Sequence, residues 1–161
     1  MKTTLNKIKE HSPCKDGWDK LLTFLNKTEA DNEELSLLTI LESNGLNHAL
    51  WALRAVDGFE KEKRLMACDF AENVVYLAND ERSVNAIKVS RNYANGLATI
   101  EELNAASAAA KAAWAASYAS YAAALAADLA AKAASRDVVW HATADCIQHE
   151  KQIEIFKKYV K

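Results

Sequence analysis

One segment limits the fold more than any other: nineteen of the thirty residues between positions 105 and 134 are alanine. Alanine has the highest intrinsic helix propensity, and Thr99-Ile100-Glu101-Glu102 just before the tract has the pattern of a capping box. The large residues of the tract recur every three or four positions and so form one stripe along a helix: Trp114, Tyr118, Tyr121, Leu125 and Leu129. We therefore predict a long, central helix from Thr99 to about Ala134.

The rest of the chain is also predicted to form a series of helices. One proline and four glycines are too few turn residues for an all-β fold. Apolar residues recur at helical spacing between polar breaks, and Asn44-Gly45 and Asn95-Gly96 are predicted to end two of the helices. In the helix from Glu81 to Asn95, the predicted inward residues are Val84, Ile87, Val89 or Ser90, and Tyr93.

These segments together predict an all-α fold, an array of seven or eight helices stacked as antiparallel hairpins. At 161 residues the chain fits a single domain. Within it we expect a short-helix half (1–98), the long alanine-rich helix (99–134) and a C-terminal helix (136–160).

The charge and the apolar pattern exclude several classes of partner. The net charge is −2 and the pI is near 6.1, without the basic surplus that phosphate contacts require, so we expect no direct nucleic-acid binding. No apolar run is long enough for a membrane span, and the first residues show no signal-peptide pattern. Three widely spaced cysteines fit reduced thiols. These features predict a cytoplasmic protein.

The motifs of common enzyme classes are missing from the sequence. There is no phosphate-binding glycine loop, no nucleophile elbow, no Cys-x-x-Cys pair and no His-Glu-x-x-His motif. We therefore predict a protein that is not an enzyme and has no cofactor.

A row of metal-ligand types near the C-terminus is the main alternative. His141, Asp145 and His149 follow one another at intervals of four, so a helix presents them on one face. Imidazole nitrogens and a carboxylate are good ligands for zinc or another divalent metal. The competing interpretation is a structural Asp-His pair with a histidine at the edge of the core.

The segment from His11 to Trp18 contains a second candidate. Cys14 close to His11 suggests a thiol nucleophile with a base, although no catalytic cysteine signature surrounds it. A buried cysteine, with Trp18 anchoring the start of a helix, is the alternative interpretation.

A third candidate is a partner-binding surface around Trp51, Arg54 and Asp57. Trp51 and Arg54 are three residues apart and so share a helical face, and both residue types are enriched in interface hot spots. The alternative is an internal brace in which Arg54 pairs with a carboxylate. Tyr118 and Tyr121 would add to a partner surface if their stripe is exposed, whereas a core position is the alternative.

Several stretches carry a resemblance to a known family: Ser12-Pro13-Cys14-x-x-Gly17-Trp18, Asn44-Gly45-Leu46, Ala49 to Val56, Asp80-x-Arg82, Tyr93 to Leu103, and the alanine tract with Trp114. They are similar to the alanine-rich immunity protein family of bacteria and phages, over about His11 to Trp140. The chain departs from that pattern in having tyrosine and leucine where tryptophan or arginine often recur in the tract.

The resemblance implies a non-enzymatic inhibitor that neutralises a bacterial toxin or a host defence effector by direct binding. Two alternatives remain at this point. One is a metal-binding helical module or enzyme that uses His141, Asp145 and His149. The other is a self-assembling structural protein, a homo-oligomer with the aromatic stripe as its seam.

Overall fold

The fold is that of a computed structural model, which describes residues 1–73, 75, 81–116 and 149–161, with the side chains of all of these except 113–116 and 149. The described residues are mostly helical, which confirms the predicted all-α class. They form two compact units, one made of residues 1–58 with 156–161 and the other of residues 59–155.

The described residues contain eight α-helices, one 3₁₀ turn and two short strands. In chain order they are β1 (Lys2–Thr3), α1 (Leu5–Glu10), α2 (Lys15–Phe24), β2 (Leu35–Ser36), α3 (Leu37–Asn44), α4 (Leu46–Ala52), the 3₁₀ turn (Leu53–Ala55), α5 (Glu60–Glu72), α6 (Glu81–Ala94), α7 (Ile100–Ala116) and α8 (His149–Val160). No helix among them is both long and apolar enough to cross a membrane.

The sequence did not predict the two short strands. Lys2 pairs with Ser36 and Thr3 with Leu35 in an antiparallel ladder. Two residues per strand are too few to show an alternating pattern. The ladder ties β1 to the entry of α3, where Ser36 caps the helix by accepting a hydrogen bond from the backbone nitrogen of Leu38.

The first unit has a core of large aliphatic side chains from its four helices. Gly45 has φ = 85°, and the helix α3 stops before it as the Asn44-Gly45 pair predicted. The end of α8 completes this core with Phe156 and Val160, which are both buried. The backbone nitrogen of Met1 donates to the carbonyl of Val160, which ties the chain end to β1.

In the second unit, small residues form most of the buried face of α6. Helix α6 contacts both α5 and α7. Its buried residues are Ser83, Ala86, Ile87 and Ser90. Val84 is 51% exposed, so its predicted inward position is wrong. Alanines from α5 and α7 belong to the same core cluster as Ala86 and Ile87 of α6.

The start of the alanine-rich helix is as predicted. The backbone nitrogen of Thr99 donates to a Glu102 carboxylate oxygen at 2.7 Å, and the backbone nitrogen of Glu102 donates to the Thr99 hydroxyl at 3.2 Å. These reciprocal bonds are the capping box. The predicted helix beyond residue 116 and the predicted start of the C-terminal helix at 136 lie outside the described residues.

Candidate functional site

Trp51 and Arg54 form a stacked pair on the first unit. Trp51 lies in the last turn of α4 and Arg54 in the 3₁₀ turn that continues it. The guanidinium carbon of Arg54 lies 4.7 Å from the centroid of the Trp51 ring, so the two side chains share a face as expected. Both are half-buried. A cation over an indole ring is stabilising by about 0.5–1 kcal/mol at such a position and restricts the motion of both groups.

Asp57 follows Arg54 by three positions and has a paired carboxylate. The Asp57 carboxylate accepts a hydrogen bond from the Lys7 ammonium at 2.6 Å. Both side chains are largely exposed, so this ion pair contributes little to stability. Lys7 belongs to α1, which packs against the 3₁₀ turn that carries Arg54. We call Lys7, Trp51, Arg54 and Asp57 the Trp51 surface.

Lys7 is a member of this surface that sequence reasoning missed. It is fifty residues away from Asp57, and nothing in the sequence between them predicts the pairing. The pairing follows from the packing of α1 on the 3₁₀ turn.

The other predicted site residues are not placed by the structure. Tyr118, Tyr121, His141 and Asp145 lie outside the described residues, and of His149 only the backbone is described, as the first residue of α8. Over the described ranges, no group of three His, Cys, Asp or Glu side chains is arranged to hold a metal ion. The aromatic stripe and the metal row therefore stay predictions.

The structure places Cys14 on the surface, so the interpretation of Cys14 as a buried cysteine is wrong. Its sulfur lies 3.8 Å from Nε2 of His48, a residue of α4. Sequence proximity had suggested His11 as the base, but the histidine in contact is thirty-four residues further along the chain. No local pattern links the two positions, since their contact depends on how the helices pack.

Three hydrogen bonds and one close contact fix the surroundings of His48. Its Nδ1 is 3.1 Å from the carbonyl oxygen of Asn44. The Asn44 side-chain amide donates to the carbonyl of Gly17 at 2.7 Å and accepts from the Ser43 hydroxyl at 2.7 Å. A Cβ at Gly17 would lie 2.7 Å from the His48 ring, so only glycine allows this contact.

Comparison of the chain with protein-family models finds no match. Comparisons with curated proteins and with solved structures find none either.

Proposed function

We propose that this protein is a non-enzymatic inhibitor that binds and neutralises a bacterial toxin or a host defence effector, as immunity-like proteins and phage anti-defence proteins do. The observation that carries the proposal is the stacked pair of Trp51 and Arg54 on the first unit. Tryptophan and arginine are the residue types that most often dominate binding energy at protein interfaces. Because stacking already restricts both side chains, they lose less conformational entropy when a partner covers them.

The remainder of the Trp51 surface supports a protein partner in particular. Lys7 and Asp57 form a charged, solvent-exposed pair, and Lys7 lies on α1, which packs against the 3₁₀ turn that carries Arg54. An apolar, aromatic centre with a polar rim is the usual anatomy of a protein interface. The net charge of −2 suits a basic target such as a nuclease, since opposite charges accelerate encounter.

The class of target comes from the resemblance to alanine-rich immunity proteins. We infer that the protein acts in the cytoplasm of a bacterium, or of a phage-infected cell, where such toxins and defence effectors work.

The test is binding and protection with the toxin or defence protein encoded next to this chain. We expect isothermal titration calorimetry to show that the two purified proteins form a complex. Co-expression of this protein should restore growth of cells that make the toxin. Trp51→Ala should weaken the complex by roughly thirtyfold, the equivalent of about 2 kcal/mol for a hot-spot aromatic.

The control is Phe24→Ala, which removes a more exposed aromatic side chain from the first unit. This variant should bind and protect like the unaltered protein. The proposal fails if the neighbouring protein neither binds nor is neutralised. The assignment of the surface fails if a folded Trp51→Ala variant, verified by its thermal melt, binds with unchanged affinity.

A further inference from the structure

The contacts of His48 determine which of its ring nitrogens carries the proton. A carbonyl oxygen can only accept a hydrogen bond, so Nδ1, at 3.1 Å from the carbonyl of Asn44, must be the donor. In a neutral imidazole the other nitrogen then has a free lone pair. That nitrogen, Nε2, is the one 3.8 Å from the Cys14 sulfur. The geometry therefore gives the thiol a proton acceptor of the correct tautomer.

Cys14 also lies at the start of a helix. Cys14 is the N-cap residue of α2, a ten-residue helix, and its side chain makes no capping hydrogen bond in the thiol form. The first-turn N–H groups of a helix favour a negative charge beside them. Lys15 and Asp16, the next two residues, are both exposed and have opposite charges, so their charges largely offset each other.

The close packing around His48 keeps this pair together. The absence of a side chain at Gly17 lets the imidazole approach α2, and the Asn44 amide ties the end of α3 to the Gly17 carbonyl. An exposed sulfur and a base held beside it by its own hydrogen bond meet the requirements for thiol activation.

We propose that Cys14 is a reactive modification site, activated by His48, that forms mixed disulfides with low-molecular-weight disulfides. This inference goes beyond the binding function and does not depend on it. Thiol–disulfide exchange needs a thiolate and access to its sulfur; His48 is placed to take the thiol proton, and the sulfur of Cys14 is exposed.

The exchange needs no oxidant other than the disulfide itself. His48 Nε2 takes the proton from the Cys14 thiol, and the thiolate attacks one sulfur of the disulfide R–S–S–R. The Cys14 S–S bond forms as the original S–S bond breaks, and the electron pair of that bond leaves with R–S⁻. The imidazolium then returns the proton to R–S⁻, which gives R–SH and neutral His48.

Cys68 provides an internal comparison within the same molecule. Its side chain is fully buried in the second unit, with its sulfur 3.8 Å from the carbonyl oxygen of Ile87. Burial raises the pKa of the Cys68 thiol, although a hydrogen bond with Ser90 opposes this shift. We therefore expect Cys68 to react only when the protein unfolds.

The experiment measures the reaction of the full-length protein with 5,5′-dithiobis(2-nitrobenzoate), an aromatic disulfide, and assigns each modified cysteine by peptide mass spectrometry. We expect Cys14 to react roughly tenfold faster than the cysteine of an unstructured peptide at neutral pH. His48→Gln should remove most of this difference. Added imidazole should restore part of the rate in His48→Ala, which a merely structural role of His48 would not produce.

Asn47→Ala changes the exposed neighbour of His48 on α4 and serves as the matched control, with an unchanged rate expected. The proposal is overturned if Cys14 of the unaltered protein reacts no faster than the peptide. It is equally overturned if a folded His48→Gln variant reacts as fast as the unaltered protein. The peptide comparison needs no variant, so it decides the matter even if His48→Gln does not fold.

Discussion

Gly17 shows how one residue can decide a local structure in this protein. The position lies inside α2, where glycine is normally unfavourable by about 1 kcal/mol relative to alanine. A Cβ here would approach the His48 ring to 2.7 Å and the Cys14 sulfur to 3.0 Å. The lower helix propensity of glycine is therefore offset by the contact between α2 and His48.

Gly17→Ala should lower the free energy of unfolding by about 1–2 kcal/mol, because overpacking outweighs the gain in helix propensity. Urea denaturation measures the change. In a His48→Ala background the same substitution should instead raise stability by up to about 1 kcal/mol, since the obstructing ring is absent. Equal effects of Gly17→Ala in both backgrounds would show that the contact with His48 is not the cause.

The helices α5, α6 and α7 of the second unit differ in how their starts and sides are stabilised. Helix α7 begins at a complete capping box, whereas α5 begins after Phe59 in a left-handed conformation and without a side-chain cap. Helices α5 and α6 are joined by Arg91, whose guanidinium donates to Asp69 at 2.7 Å and to Glu72 at 3.1 Å. Local hydrogen bonds thus define the start of α7, and an ion pair links α6 to α5.

Removing the cap of α7 should destabilise the second unit. Thr99→Ala deletes the oxygen that accepts the Glu102 N–H, and we expect a loss of about 1 kcal/mol. Thr28→Ala, at an exposed position in the loop after α2, should have almost no effect. Chemical denaturation measures the free energy of unfolding of the two variants. Equal values would show that the cap does not stabilise the protein.

The two carboxylates that contact Arg91 should contribute unequally. The Asp69 side chain is 15% exposed and that of Glu72 is 50% exposed. Asp69→Asn is therefore expected to cost about 1–3 kcal/mol of unfolding free energy, and Glu72→Gln less than about 1 kcal/mol. High salt should abolish the effect of Glu72→Gln but leave most of that of Asp69→Asn, because solvent ions screen the exposed pair more. The reverse order of costs would contradict this ranking.

At the scale of the whole molecule, the chain forms two compact units, each with buried apolar side chains of its own. The unit of residues 1–58 and 156–161 buries large aliphatic side chains together with Phe156. The unit of residues 59–155 includes a core cluster that consists largely of alanine, with Cys68 and Ile87. The first core therefore depends on segments from both ends of the sequence, which meet where Met1 bonds to Val160.

Phe156→Ala should strongly destabilise the first unit. Phe156 is fully buried, and such a truncation typically costs about 3–5 kcal/mol through lost burial and the cavity that remains. We expect faster amide hydrogen exchange in α1 and α4, together with a lower denaturation midpoint. Phe24→Ala, at a position that is 49% exposed, should cost less than about 1 kcal/mol. Similar losses for the two variants would mean that Phe156 is not a core residue of this unit.

The features that could be predicted from the sequence are those that neighbouring residues set. Helix propensity and periodicity gave the all-α class, and the capping box at Thr99 needs only residues within one turn. Asn44-Gly45 and Asn95-Gly96 ended their helices as predicted, since both glycines have positive φ. In each case the interacting groups lie within a few positions along the chain, so the sequence alone reveals the pattern.

Contacts between residues far apart in the sequence could be identified only from the folded structure. The histidine in contact with Cys14 is His48, which is distant in the sequence, and the partner of Asp57 is Lys7. Val84 is exposed because α6 faces its neighbours through Ser83 and Ser90 instead. Periodicity says which residues share a face but not how closely two helices approach, because packing sets that distance through the size of every side chain between them.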